Sequence, residues 1–447
     1  MPKQNPVTPG PKSARMITVI ADTGIQTNVH EMSTSNQEIP PNSGDQAAIV
    51  ELAEQLIATQ ASSTETQAAV VEGREIAAIV ESLGLPDELL AAACLYPLVR
   101  DEIINEKTLQ NNDLGSISRI IIDLVQLGHF TLPAGWEPGE ALAARQSEAL
   151  RKMLLAVVSD VRLVLVRIAE QLYRLRKAKE APQEQQRSIA IETREIYAAL
   201  ANRLGVWQLK WELEDLAFRY LEPDTYMEIA SALKEKRTER LGFIEQVKST
   251  LQTELNKQGV EADISGRAKH IYSIWRKMQR KDSGLESLYD IRAVRVLVED
   301  VKDCYAALGA VHNLWSYLPG EFDDYIANPK DNDYQSLHTA VVGPDGKTVE
   351  VQIRSHDMHR QAELGVAAHW RYKEGRASPA AFDQKIRFLR QLLEPTDDGE
   401  DLLAQIRDDV FEDRVYGVSP KGDVVELTAG ATPLDFAYHV HTQVGHR

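Results

Sequence analysis

The chain has 447 residues, 43% of them apolar, two cysteines and a formal net charge of −17. That length holds two to four domains with substantial cores. The acid excess argues against a general nucleic-acid coat or a polybasic membrane binder, both of which need surplus Lys and Arg, so any nucleotide contact must come from local basic clusters.

Residues 1–45 are rich in Pro, Ser, Thr, Asn and Gln and read as a disordered tail, too polar to offset the entropy of ordering. Met16–Ala21 is too short for a signal-peptide core, and no apolar run reaches membrane-spanning length. A cytoplasmic protein is expected. From 46 to 220 the pattern is helical and predicts one all-α domain. Asp87 and Glu88 after Pro86 start a helix, Leu154–Ile168 reads as one apolar helix with Asp160 inside it, and Thr131–Glu140 is a loop. Ile196, Leu200 and Leu204 form an apolar stripe, and an amphipathic helix runs from Trp207 to Tyr220. Cys94 and Cys304 lie in apolar helical contexts, which gives neither a disulfide framework nor a cysteine zinc site.

Residues 221–375 mix both periods and predict an α+β domain with a mostly antiparallel sheet. The order is a polar helix (Pro223–Lys257), a strand near Val260–Ser265, a basic helix (His270–Lys281), a strand (Asp290–Val298), a helix (Val301–Leu314), a hairpin, and a helix around His359–Tyr372. The hairpin pairs Tyr334–Val342 with Thr348–Arg354 across Gly343–Lys347. Val349, Val351 and Ile353 share one face, while Glu350, Gln352 and Arg354 share the other. An acidic helical linker (376–408) precedes a small β-rich module (409–447) that stops in mid-pattern, as expected of a piece of a longer protein.

Three clusters beside the hairpin carry chemistry. Gly266–Lys281 holds six basic residues and no acid, and helical spacing puts Lys269, Ser273 and Lys277 on one face with Ile271, Ile274 and Met278 on another. Such a helix docks by its apolar stripe and offers cations, with its N-terminus, to a polyphosphate; a solvated basic face is the plainer alternative. Asp290, at the mouth of an apolar strand, suits Mg²⁺ beside phosphates or a solvent-facing strand start. A strict period of two places Asp290 and Arg295 on opposite faces unless a bulge intervenes. Glu321, Asp323 and Asp324 form either a second metal-attracting patch or an acidic loop.

GRAKHIYSIWRKM, LYDIRAVRV, DYIANPKDNDYQSLHT, VEVQIR and AELGVAAHWRYKEG, in this order, resemble the RelA/SpoT family of alarmone synthetases. The resemblance implies an all-α HD-type hydrolase domain, a nucleotidyltransferase-like synthetase domain and the start of a β-grasp-like TGS domain. It also implies pyrophosphate transfer from ATP to the 3′-hydroxyl of GTP or GDP. On the matching positions, Asp290 and Glu350 would hold Mg²⁺ and Glu350 would take the hydroxyl proton. Arg267, Lys269, Ser273, Lys277 and Arg295 would cradle ATP. Lys330, Asn332, Tyr334, Gln335, His338 and Arg354 would shape the acceptor site, with Tyr334 stacked on guanine. Glu321, Asp323 and Asp324 match the acidic run of synthesis-only members and stand as accessory metal residues. Asp333 replaces the family's glycine and adds negative charge beside the acceptor.

Members with both activities hydrolyse the product with Mn²⁺ on histidine and aspartate ligands. Here those places read Glu72, Tyr96-Pro97 and Glu170, with Arg100-Asp101 for the acidic pair, which implies a hydrolase fold without hydrolysis. In the TGS-like module His441 falls where the 3′ end of uncharged tRNA would approach on the ribosome. Two other readings remain: a nucleotide-binding regulatory homologue without synthesis, and a nucleotidyltransferase that releases pyrophosphate.

Overall fold

The computed structural model describes residues 57, 63–111, 114–128, 130–133, 135–138, 140, 142, 144–235, 237–267, 269–281, 292–330, 334–365, 367, 414–418, 424–428 and 432. The expected tail and linker, and Asp290, Asn332, Asp333 and His441, lie outside them.

The helical part opens with α1 (Thr64–Ser82), capped by the Ser63 hydroxyl, which accepts from the Thr66 amide at 3.1 Å. It continues with α2 (Asp87–Arg100), α3 (Glu106–Asn111), α4 (Gly115–Leu127), α5 (Ala144–Ser159) and α6 (Val161–Lys177). The expected single helix over Leu154–Ile168 is therefore two. Asp160 leaves helical geometry (φ −152°, ψ 99°), and its carboxylate accepts from the Arg162 amide at 3.0 Å, so it caps a new helix instead of riding inside one. After α7 (Gln183–Glu192) comes one π-helical turn (Thr193–Tyr197), then α8 (Ala198–Arg203) and α9 (Trp207–Leu221). At that turn Thr193 Oγ1 donates to the Ile189 carbonyl at 2.7 Å and accepts from the Gln171 amide at 2.8 Å, a side-chain bond inserted in the helical ladder. Ile196, Leu200 and Leu204 are all buried in this core, as their spacing predicts.

The polar helix of the next part is two helices, α10 (Pro223–Glu235) and α11 (Arg237–Lys257). They are followed by β1 (Ala262–Gly266), α12 (Ile271–Lys281), β2 (Ala293–Val298), α13 (Val301–Leu314), β3 (Ser316–Asp324), β4 (Leu337–Val342), β5 (Thr348–Ser355) and α14 (His356–Leu364). The sheet order is β1-β2-β5-β4-β3, with β2/β5 parallel and the other pairings antiparallel, so the sheet is mostly antiparallel as expected. β3 was not anticipated: the acidic run expected ahead of the hairpin is the end of a paired edge strand. One sheet face, with Val294, Val296, Leu337, Val341, Val349, Val351 and Ile353, packs on Val247, Leu251 and Leu255 of α11 and on Cys304, Ala307 and Val311 of α13. Residues 414–418 and 424–428 form an antiparallel pair, β6 and β7.

Helix α9 serves two cores. Leu209, Leu213 and Ala217 pack with the helical part, while Phe218 joins Tyr226 and Ile229 of α10 and Ile271, Tyr272 and Ile274 of α12. A second tie is Gly365 after α14. Its φ is +53°, and a Cβ there would lie 2.2 Å from the Leu204 carbonyl oxygen, so only glycine admits this approach to the turn before α9.

Candidate active site

The polar face of the sheet is built around Glu350. The β1–β2 pairing runs on to Arg267, whose amide donates to the Ala293 carbonyl at 2.8 Å, and Ala293 stands in register with Glu350. Alanine between them leaves room for Arg267 to reach across β2. Its Nη1 lies 3.0 Å from Glu350 Oε1, and Lys269 Nζ lies 2.9 Å from Oε2. Burial alone would raise the Glu350 carboxyl, but the Lys269 and Arg267 cations outweigh it and hold it below the usual carboxylate range. Lys269 thus acts from the loop before α12, not from the helical face that its spacing suggested.

Along β5 the face continues with Gln352 and Arg354, both 2% exposed. Arg354 Nη2 donates to His359 Nδ1 at 2.5 Å and lies 3.1 Å from Glu363, while Arg295 lies 3.6 Å from the same carboxylate and 3.4 Å from Gln352 Oε1. Burial, then the neighbouring Arg354, lowers the Arg295 guanidinium to about 10, and burial likewise lowers Arg354. Arg267 Nε and Arg354 Nε are buried with no hydrogen-bond partner in the structure. The face therefore gathers Arg267, Lys269, Arg295 and Arg354 against Glu350 and Glu363, an excess of cations inside an acidic protein.

Tyr334, Gln352 and His338 form a second group. The Gln352 amide donates to the Tyr334 hydroxyl, and both groups meet His338 Nε2 at 2.9 Å. Burial pushes the His338 imidazole down to about 3, so the ring is neutral. Tyr334 is only 9% exposed, with its ring 5.6 Å from Trp207 and 6.1 Å from Tyr325. Lys330 Nζ sits 4.4 Å from the centre of the Tyr325 ring, and Gln335 Nε2 donates to the Ile326 carbonyl at 3.5 Å, bracing the turn before β4. Ser273 and Lys277 lie half-buried on α12.

The acidic run is divided. Asp323 pairs in register with His338 and is exposed, whereas Asp324 accepts from Tyr305 of α13 at 3.0 Å and from the amides of Ile326 and Ala327. Asp324 therefore holds a turn and α13, away from the polar face that carries Glu350. Glu321 lies exposed on β3.

Sequence reasoning missed the cover over this face. Trp211 of α9 packs 4.5 Å from His270 and 5.5 Å from the Arg267 guanidinium, and Lys210 lies 4.5 Å from Trp207. Asp215 of α9 accepts from the amides of Ile271 at 3.3 Å and Tyr272 at 2.8 Å. The N-terminus of α12, offered to phosphate by the sequence, is thus filled by a carboxylate of this chain. Burial raises Asp215 to about 6, against the pull of those two amides. Trp207 and Trp211, four apart, mark one helix face in sequence; nothing local marks what it covers.

The residues at the hydrolase positions also come together. Arg100 donates to Glu72 at 2.5 and 3.1 Å, to Asp101 at 2.8 and 2.9 Å and to Glu170 at 3.2 Å. Arg167 donates to Glu170 at 2.5 Å, to the Tyr96 hydroxyl and to the Leu124 carbonyl. Tyr96, Arg167 and Glu170 are all within 1% of complete burial, and Pro97 lies buried inside α2. Among the described residues no three His, Cys, Asp or Glu side chains converge to hold a metal as they stand. None of the described helices is long and apolar enough to cross a membrane.

Comparison with known proteins adds three family matches: "Region found in RelA / SpoT proteins" over residues 266–377, "HD domain" over 49–207 and "TGS domain" over 415–447. The chain is 49% identical over 382 residues to a GTP pyrophosphokinase of Photobacterium angustum and 48% identical over 382 residues to one of Escherichia coli. Each match covers 84% of this chain and 51% of the relative. It is 41% identical over 379 residues to a probable guanosine-3′,5′-bis(diphosphate) 3′-pyrophosphohydrolase of Synechocystis, covering 83% of this chain and 49% of that one. The chain thus spans about half the length of the curated relatives it matches.

Proposed function

Because the chain belongs to the RelA/SpoT family, we propose that it transfers pyrophosphate from ATP to the 3′-hydroxyl of GTP or GDP, giving (p)ppGpp and AMP. The observation that carries this reading is the Glu350 carboxylate held between Arg267 and Lys269 on a face with surplus cations. Before substrate binds, two cations make Glu350 a weak base. A triphosphate offers Arg267 and Lys269 better-charged acceptors. As they turn to it, Glu350 loses both partners and its proton affinity rises. The 3′-hydroxyl then attacks the β-phosphorus, its proton passes to Glu350, and the bond from the β-phosphorus to the α,β-bridging oxygen breaks to release AMP. Transfer of this kind rests on positioning and charge neutralisation. Arg295, Ser273 and Lys277 extend the ATP cradle.

Mg²⁺ is the metal this chemistry calls for. Hard carboxylate oxygens suit it, so Asp290 would hold it, with Glu350 near, and it would neutralise phosphate charge. On the acceptor side, Tyr334 receives guanine once Trp207 gives way, with Lys330, Asn332, Gln335, His338 and Arg354 around it. The helical domain is read as inactive in hydrolysis, a reading supported by Tyr96 and Pro97 at ligand places and by the Arg100 and Arg167 guanidiniums that pair with Glu170. Contact of the TGS region, through His441, with uncharged tRNA on the ribosome completes the proposal.

Labelled ATP with GDP, resolved by thin-layer chromatography, tests the reaction. AMP and ppGpp are expected, whereas pyrophosphate release would identify a nucleotidyltransferase and no product a regulatory homologue. Glu350→Gln keeps the side-chain shape and is expected to reduce synthesis at least ~100-fold, the scale of a lost general base. Near-normal synthesis by that variant would remove Glu350 from the role.

A further inference from the structure

The divalent ion that an HD-type helical fold implies does not fit the residues present. Glu72 of α1, Asp101 at the end of α2 and Glu170 of α6 are the acids at its place, and all three bond a single guanidinium. We propose that Arg100 is a fixed internal cation standing in the place of a metal ion, so that the helical domain is held together without metal and removal of Arg100 opens a divalent-cation site.

Charge and geometry support this. Three carboxylates face the guanidiniums of Arg100 and Arg167, leaving one net negative charge. Without Arg100 the balance becomes two negative charges, which one divalent ion neutralises. The contacts of Arg100 span three helices, as a metal's bonds would, and their distances of 2.5–3.2 Å leave no room for an ion beside it. Glu170 is buried to 1% exposure, so its charge cannot be left to solvent. The Arg100 side chain is itself 31% exposed, which gives an ion a route in from water. Neutralisation of Arg100 is no escape, because its hydrogen-bonded carboxylates more than offset the burial that would lower its pKa, and raise it.

Thermal melting of the full chain with and without millimolar Mn²⁺ tests the assignment. Arg100→Ala is expected to lower Tm by about 10 °C, the scale of breaking a partly buried ion cluster. Mn²⁺ should restore most of that loss, and the added change Glu72→Gln should abolish the restoration. Arg100→Lys keeps one charge and should melt in between, with no response to Mn²⁺. An Arg100→Ala chain of unchanged Tm, or one that no divalent ion rescues, overturns the proposal. Should Arg100→Ala fail to fold, Mn²⁺ binding to the unaltered chain and to Glu72→Gln, read by water-proton relaxation, decides. Equal binding is expected, since any ion elsewhere is common to both, and loss of a Mn²⁺ site in Glu72→Gln overturns it.

Discussion

Burial sets the protonation of the histidines on and beside the polar face more than charge does. His338 and His359 are pushed down to about 3 and His270 to about 4, each chiefly by desolvation, while Asp215 is pushed up to about 6 by the same cause. The two directions oppose each other in stability. A histidine with a depressed folded pKa stabilises the fold above its unfolded value of about 6.5, and that stability is lost as pH falls. Asp215, with a raised folded pKa, contributes stability below its unfolded value that is lost as pH rises to about 6. Between pH 7 and pH 5 three histidines outweigh one carboxyl. The unfolding free energy, from urea titrations, should therefore fall by a few kcal/mol, to order of magnitude, across that interval. A flat or rising profile would mean that these imidazoles are solvated. Glu350 follows the reverse pattern of the raised acid: held low by Lys269 and Arg267, it stays ionised throughout this window.

At the scale of elements, Asp215 is the fastening between the helical cover and the basic helix. Asp215→Ala removes the cap of α12 and should destabilise the fold by about 1–2 kcal/mol. If the proposed synthesis holds, KM for ATP should rise several-fold with a smaller change in kcat, because Lys269, Ser273 and Lys277 flank or ride on α12. Equal loss in both constants would place Asp215 outside nucleotide binding. Elements were legible where one residue type settles the backbone. Val301–Leu314 matches the sequence reading to the residue, because Asp300 caps it and accepts from the Asp303 amide at 2.9 Å. The hairpin's alternation and the stripe of α12 are likewise as read. β3 was hidden because an edge strand tolerates Pro319, Gly320 and a run of acids that a central strand would not. Asp160 misled because the apolar period continues across it, and only its backbone angles show the break.

For the whole molecule, the sequence brought out Glu350, Arg267, Lys269, Tyr334 and His338 as one group, and the fold gathers them on one face. It also brought Glu72, Tyr96 and Glu170 together from places nearly one hundred residues apart, since motif order locates positions whatever residue types fill them. What it could not give was cover. Trp207 of α9 meets Tyr334 over a sequence gap of more than one hundred residues, and no local period encodes such a meeting. A sequence-drawn boundary at 221 divides α9 from α10, and with it the cluster of Phe218, Tyr226, Ile271 and Ile274. Calorimetry of the chain should accordingly show the helical and mixed parts melting in one transition; two well-separated peaks would refute that coupling. A recombinant fragment beginning at residue 221 should be poorly soluble, with Tyr334, His270 and the α12 seam bared, whereas one beginning before Trp207 retains its ceiling. With α9 as a party wall, the two halves are expected to behave as a single unit of manufacture, neither expressed, melted nor passed to a new architecture without taking part of the other.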